Sequence, residues 1–303
     1  MKILVTGSTG LIGSALVREL KQAGHTVCRL VRPQTNSAAI RGNAGFDVNW
    51  DPATGELGGA AVGADAVVNL AGASIADGRW TPERKILLRS SRVDTTRSLV
   101  NALAKMAARP RVLVSASAIG FYGNRGDEIL NEESPPGSDF LSNVARDWER
   151  EAEKAETLGI RVVLPRMGVV LAREGGALPQ MAKPFRMGAG GKLGSGRQWM
   201  SWISLDDVVA VFRLALQNGD VRGAINVVSA EPVRNAGFTH ELAKALHRPA
   251  LFPAPAFALR LMLGEVADAL LLSSQRAVPA RLEKFGYKFL HADLGCTLSQ
   301  LLS

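Results

Sequence analysis

Cysteine is scarce in this chain. Cys28 and Cys296 are the only two in 303 residues, and they lie near opposite ends. No CxxC spacing occurs, and His25, His240, His247 and His291 do not cluster with carboxylates. Neither a disulfide framework nor a metal site is expected, and a reducing cytoplasm fits this usage. Long apolar runs are missing too. The opening MKILVTGSTG reaches glycine before a hydrophobic region of signal-peptide length can form. The nearest approach to a membrane span, FALRLMLGEVADALLL (257–272), is interrupted by Arg260, Glu265 and Asp268. It reads as an amphipathic helix, so no membrane partner is expected. Dense basic tracts are also absent. Lys and Arg number 36 against 28 Asp and Glu, a net charge of +8, but they are dispersed and do not alternate with aromatics. That excludes a nucleic-acid footprint and leaves a basic surface with a preference for small anions.

The composition that remains, 47% hydrophobic and 21% charged, is that of a globular protein with a substantial core. Short apolar segments at 2–6, 26–32, 47–51, 66–72, 111–117 and 161–171 predict strands, with another at 224–230. Helical patterns at 11–23, 82–107, 139–158 and 205–218 fall between them. Near-continuous apolar strands joined by helices imply an α/β fold, a Rossmann-like doubly wound parallel sheet. Residues 1–172 are expected to form it, with a late strand and helix from about 203–230 returning to it. Residues 173–303 then make a substrate-side glycine-rich loop and a smaller, mostly helical C-terminal lobe. That loop, PFRMGAGGKLGSGRQWMSWISLDD (184–207), contains Phe185, Trp199, Trp202 and Ile203, which a flexible linker would not expose. It is expected to be ordered over a pocket. Lys183, Arg186, Lys192 and Arg197 around it suggest an anionic small-molecule ligand, although surface solubility accounts for any one of them alone.

The most specific local signal is TGSTGLIGSALVREL. Gly7, Gly10 and Gly13 follow the first strand directly and open a helix. Gly7 permits a sharp turn, Gly10 a close approach of backbone to a pyrophosphate, and Gly13 tight packing of helix on strand. The amides of Thr9, Leu11 and Ile12 at the helix N-terminus then face the phosphates. Strand two ends in RLVRP, where an NAD enzyme usually carries a carboxylate for the ribose hydroxyls. Arg32 stands there, with Arg29 in the same strand, and a guanidinium holds a 2′-phosphate that a carboxylate would repel. NADP is therefore favoured over NAD. NLAG (69–72) brings Leu70, Ala71 and Gly72 to a strand end where small residues let adenosine and ribose lie against backbone. Packing alone would explain them equally.

Together, TGSTGLIG, NLAG, SASAIGFYG (115–123) and WISLDDVV (202–209) give the chain a resemblance to the extended short-chain dehydrogenase/reductase superfamily. PFRMGAGGKLGSGRQ, NVVSAEPVRNAGF and SQRAVPARLEKFGYKF are similar to its atypical branch often labelled sugar-nucleotide epimerase-like. The resemblance covers essentially the whole chain and implies a Ser-Tyr-Lys catalytic set. The tyrosine and lysine should open the helix DFLSNVARDWEREAEKAE (139–156), with Ser138 as its cap and Gly159 at its end. That helix has no tyrosine, and its only lysine, Lys154, comes late. If Glu149 takes the helix glutamate position of the extended relatives, Leu141 and Ala145 stand where tyrosine and lysine would be. Neither can transfer a proton. Ser117, or alternatively Ser115, is the surviving serine, and Ser115 is also a cofactor candidate. Tyr122 is a possible substitute acid, but no lysine beside it lowers its pKa, and a structural role is preferred. Asp127, Glu128, Glu132 and Glu133 in the following loop read as solvated.

Arg92 occupies the place of an asparagine that orders the active site in extended relatives. A cation there could meet a cofactor phosphate or an anionic substrate, or could lie on a helix surface. Arg166 and the backbone from Gly168 to Val170 are further candidates to face the cofactor. The resemblance thus implies an NADP(H)-binding oxidoreductase or epimerase, acting on a small or nucleotide-linked substrate without the usual Tyr-Lys pair. The alternative is a non-catalytic NADPH-sensing module.

Overall fold

The structure is a computed structural model and describes residues 1–31 and 47–303. The chain starts with β1 (Lys2–Thr6), α1 (Leu11–Gln22) and β2 (Thr26–Val31), and continues through β3 (Asp47–Asp51), β4 (Glu56–Leu57) and β5 (Ala66–Asn69). Then come α2 (Pro82–Ser90), α3 (Val93–Ala104), β6 (Val112–Ser115), β7 (Ser117–Ala118), β8 (Ile129–Leu130) and α4 (Phe140–Glu153). These are followed by β9 (Arg161–Met167), β10 (Val169–Leu171), α5 (Ala177–Arg186), β11 (Trp199–Met200), β12 (Trp202–Ser204), α6 (Leu205–Gln217) and β13 (Gly223–Val227). The last elements are β14 (Val233–Arg234), α7 (Asn235–Ala245), α8 (Ala256–Leu263), β15 (Arg276–Ala277), α9 (Ala280–Lys284) and α10 (Leu294–Leu302).

Among the described residues one sheet runs in the order β13-β9-β6-β5-β1-β2-β3-β4, with β7 paired on β9. All its pairs are parallel except β3 with β4. Parallel strands need crossovers, and these cover both faces. On one side Leu16 and Leu20 of α1 and Val208 and Phe212 of α6 bury Ile3, Val5, Val68, Val114 and Ile225. On the other, Leu99 and Leu103 of α3 pack with Ala152 and Ala155 on Leu4, Val67, Leu113 and Val162. The alternation of Ile3 and Val5 against Leu4 sends successive side chains to opposite layers. The Rossmann-like α/β fold expected from the alternation of elements is the fold observed, and beyond β13 the chain is mainly helical.

Three local departures have physical causes. The pattern at 82–107 is two helices, because the chain leaves its helical path at Ser91–Arg92 to bind the loop after β5. Ser91 Oγ accepts from the Ala73 amide at 3.0 Å, and Arg92 donates to the Ala73 carbonyl at 2.9 Å. The segment 161–171 is split at Gly168, where a Cβ would lie 2.4 Å from the Ser201 carbonyl oxygen. Its second half pairs with β12 instead of the main sheet. Asp139, not Ser138, caps α4, accepting from the Ser142 amide at 2.8 Å. No described helix is long and apolar enough to cross a membrane.

Candidate functional site

The glycine turn has the geometry its spacing implies. Gly7 has φ +62°, and a Cβ on it would stand 2.4 Å from the Leu70 carbonyl oxygen. On Gly13 a Cβ would reach 2.1 Å from the Gly7 oxygen, so both positions exclude any side chain. Gly10 is exposed, and among the described residues the sole neighbour its Cβ would meet is the Gly7 oxygen at 3.4 Å. No side chain caps α1, and its first turn holds no acid. Exposed Thr9 and half-buried Leu11 and Ile12 therefore surround a helix N-terminus whose positive potential meets no acid in its own first turn. Gly175 and Gly176 close against Leu11, bringing half-buried Val170 to the same side.

Beneath this turn runs a buried polar ladder that the sequence reading missed. Thr6, Asn69 and Ser115 are adjacent in register at the carboxyl ends of β1, β5 and β6. Thr6 Oγ1 donates to Asn69 Oδ1 at 2.7 Å and accepts from the Leu70 and Ala71 amides at 3.0 and 3.2 Å. Asn69 Nδ2 donates to Ser115 Oγ at 3.1 Å and to Thr96 Oγ1 at 2.8 Å, and Trp148 Nε1 reaches the same Thr96 at 2.9 Å. The ladder holds Leu70, Ala71 and exposed Gly72 beside the glycine turn. Its one sequence signal is an asparagine in the apolar run AVVNL.

Arg92 lies at this edge. A Cβ on Gly72 would be 3.1 Å from its guanidinium carbon. The guanidinium donates to the carbonyls of Leu88 at 3.1 Å and Ala73 at 2.9 Å and sits over Trp148 at 5.5 Å, with no carboxylate partner among the described residues. Burial, and then the nearby Arg84 cation, pull its pKa down to about 10, so it is still charged at neutral pH. Arg92 is thus half-buried at the start of α3 and not extended into solvent from the helix.

Three other candidates point the wrong way. Ser117 is fully buried and donates to Glu149 Oε1 at 2.5 Å. Arg166 forks onto the same carboxylate, with Nε to Oε1 at 2.8 Å and Nη2 to Oε2 at 2.7 Å, and its guanidinium stacks 3.5 Å from the Phe121 ring centre. Its Nη1 donates to Tyr122 Oη at 3.0 Å, and Tyr122 donates to Asn226 Oδ1 at 2.7 Å. The Arg166 guanidinium is thus committed to Glu149 and Tyr122, and the Ser117 hydroxyl to Glu149. Ser115 is likewise sealed in the ladder. Tyr122 is fully buried, and burial raises its pKa. Glu132 is not solvated. It is buried and accepts from the amides of Asn226 at 3.0 Å and Arg281 at 3.2 Å.

The positions aligned with tyrosine and lysine are filled by apolar packing. Leu141 packs with Trp80, Phe140 and Ile75, and buried Ala145 with Ile119, Phe121 and Tyr122. Arg32 falls outside the described residues, and Arg29 pairs with Asp47 at 2.7 Å. The glycine-rich loop is ordered by Gln198 Nε2, which donates to the carbonyls of Leu193 at 3.0 Å and Leu271 at 2.9 Å. Two cavities lie elsewhere. One of about 290 Å³ sits between the β3–β4 turn and α3, the other of about 520 Å³ between α7 and α10. Among the described residues no group of three or more His, Cys, Asp or Glu could hold a metal ion.

The family model described as "NAD dependent epimerase/dehydratase family" matches residues 3–228. The chain belongs to that family. Residues 254–301 match a second model, a domain of unknown function, DUF1731. Among curated epimerase family relatives, the chain is 42% identical over 294 residues to Mb2239 of Mycobacterium bovis, covering 97% of this chain and 95% of that one. It is 38% identical over 304 residues to YfhF of Bacillus subtilis, covering 100% and 98%. The crystal structure of human epimerase family protein SDR39U1 (isoform 2) with NADPH superposes with a TM-score of 0.88 at 33% identity, covering 100% and 99%. Within the family, the glycine turn and the β5 edge are the expected dinucleotide side, whereas the Ser117–Glu149–Arg166 cluster is interior.

Proposed function

We propose that this epimerase-family protein binds NADP(H) along the Gly7–Gly13 turn and serves redox chemistry on a small, anionic or nucleotide-linked substrate. The observation that carries the reading is the open cradle at Gly10. It joins a helix N-terminus without side-chain cap or acid in its first turn to the backbone of Leu70 to Gly72 and to the Arg92 cation, which has no carboxylate partner among the described residues. The amides around Thr9 to Gly13 would hold the pyrophosphate, and Leu70, Ala71 and Gly72 the adenosine and ribose. Val170 would border the same cleft, and Arg32 would take the 2′-phosphate. NADPH in the human relative supports NADP(H) over NAD. When bound, the cofactor supplies hydride transfer. Arg92 would orient an anionic group beside it and could not act as a proton carrier near neutral pH. A reducing compartment such as the cytoplasm is part of the reading, since Cys28 and Cys296 are both free thiols.

A second reading, an NADPH-responsive binding module without catalysis, is favoured by one observation. Apolar side chains fill the tyrosine and lysine positions, and the serine is locked onto Glu149. Fluorescence titration with NADPH and NADH tests binding, with tighter NADPH expected and the gap narrowed by Arg32→Ala. Equal affinities would reject the NADP assignment. NADPH consumption across a panel of carbonyl compounds separates the two readings, because the module consumes none.

A further inference from the structure

The segment 257–272 forms no buried amphipathic helix. Its first half, α8, ends at Gly264 and buries Leu259 alone. Phe257 and Leu261, four residues apart, share the opposite face with Met262 beside them. The chain just before α8 is bound to the glycine-rich loop, the Phe252 amide donating to the Gly190 carbonyl at 3.0 Å and the Ala254 amide to Lys192 at 2.9 Å. This holds Leu251 and Phe252 against the loop that starts at Met187. These six side chains are each between 61% and 76% exposed. At about 100–150 Å² apiece they offer on the order of 700 Å² of apolar surface, more than a soluble monomer usually leaves in one patch.

Charge identifies what covers it. The loop and helix segments that make this flank, 175–205 and 248–264, contain no Asp or Glu at all. Lys183, Arg186, Lys192 and Arg248 are exposed along them, and Arg79 caps the carbonyls of Leu261 and Met262. None of these five has a carboxylate partner among the described residues. The two acids that follow α8 are each neutralised, Glu265 by Lys85 and Asp268 by Arg260. We propose that this face rests on an anionic lipid surface, Phe252, Phe257, Leu261 and Met262 entering the headgroup–acyl boundary with the unpaired cations at headgroup level. Bulky apolar side chains flanked by free Lys and Arg on a short helix and loop are the arrangement that interfacial segments use. A second copy of the chain would set like charges against each other, and an acidic protein would leave the apolar ridge to be matched separately. Lying on a membrane needs no spanning helix, which is why the absence of long apolar runs gave no sign of it. The inference does not depend on cofactor binding.

Purified full-length protein is sedimented with vesicles of phosphatidylcholine alone and of phosphatidylcholine mixed with phosphatidylglycerol. Partitioning onto the anionic vesicles should be at least about tenfold stronger and should weaken as salt is raised. Phe257→Ser with Leu261→Ser, and separately Lys183→Gln with Arg186→Gln, should each reduce it several-fold at unchanged thermal stability. Lys105→Gln with Arg109→Gln, a charge-matched change in the loop after α3, should leave it unchanged. The proposal is overturned if neither vesicle binds, or if the control pair weakens binding as much as Lys183 and Arg186 do. It is also overturned if anionic binding survives the loss of Phe257 and Leu261, or if sedimentation equilibrium shows a dimer that their replacement dissociates.

Discussion

Replacing Arg166 alone should damage this protein far more than replacing Arg166 and Glu149 together. The Arg166 and Glu149 side chains are 6% and 5% exposed, and joined by two hydrogen bonds at 2.7 and 2.8 Å. In Arg166→Leu the Glu149 carboxylate keeps the Ser117 hydroxyl at 2.5 Å and loses both charged donors. Tyr122 Oη loses a donor as well. Stranding one member of a buried pair costs about 3–5 kcal/mol. For a chain of this size that corresponds to a fall of about 5–8 °C in Tm. Glu149→Leu strands the guanidinium and should cost a similar amount. The double variant removes both charges and leaves an apolar gap beside Phe121, so it should lie within about 2 kcal/mol of the parent. Urea unfolding of the four proteins measures the cycle. A coupling below about 1 kcal/mol, or a double variant as unstable as the sum of the singles, would refute the buried shared charge. The same geometry bears on chemistry: Ser117→Ala should cost about 1–2 kcal/mol of stability while leaving NADPH affinity and any NADPH turnover within about twofold. A large loss of turnover at unchanged substrate affinity would return Ser117 to the active site.

Four other outcomes are expected. Gly13→Ala must push the Gly7 carbonyl aside, and should lose NADPH binding by calorimetry together with about 2 kcal/mol or more of stability; a silent variant would contradict the 2.1 Å approach. Arg92→Ala should weaken NADPH or substrate-anion binding several-fold. It should also lower Tm modestly, because the side chain holds the carbonyls of Leu88 and Ala73, whereas unchanged affinity with a lower Tm would leave Arg92 a purely structural residue. Since the cleft favours the anion only while Arg92 is charged, that binding should be flat through neutral pH and decline as pH rises through about 10, a decline absent from Arg92→Ala. Leu141→Tyr with Ala145→Lys should not create a fast carbonyl reductase, since lysine at buried position 145 meets Ile119, Phe121 and Tyr122. Robust new turnover would show that the pocket had stayed intact.

The periodicity of apolar residues determined the layered α/β fold, because a parallel sheet covered on both faces leaves near-continuous apolar strands between amphipathic helices. The glycine spacing determined the cradle, because Gly7 and Gly13 are set by local clashes with the adjacent β5 end and with the turn itself. The missing tyrosine and lysine were likewise legible, being single positions on one helix. What only the tertiary structure decided is where polar side chains point. Ser115 and Ser117 are two residues apart, yet one is bound to Asn69 of a neighbouring strand and the other to Glu149 of α4, 32 residues away in sequence. Arg92 and Arg166 look alike in a sequence. Arg166 meets a carboxylate inside the protein, and Arg92 ends beside Gly72 on backbone carbonyls, with no carboxylate partner among the described residues. The exposure of α8 was undecided in the sequence for the same reason: a helical period says that one face is apolar, and only the packing of the rest of the chain says whether anything is there to cover it.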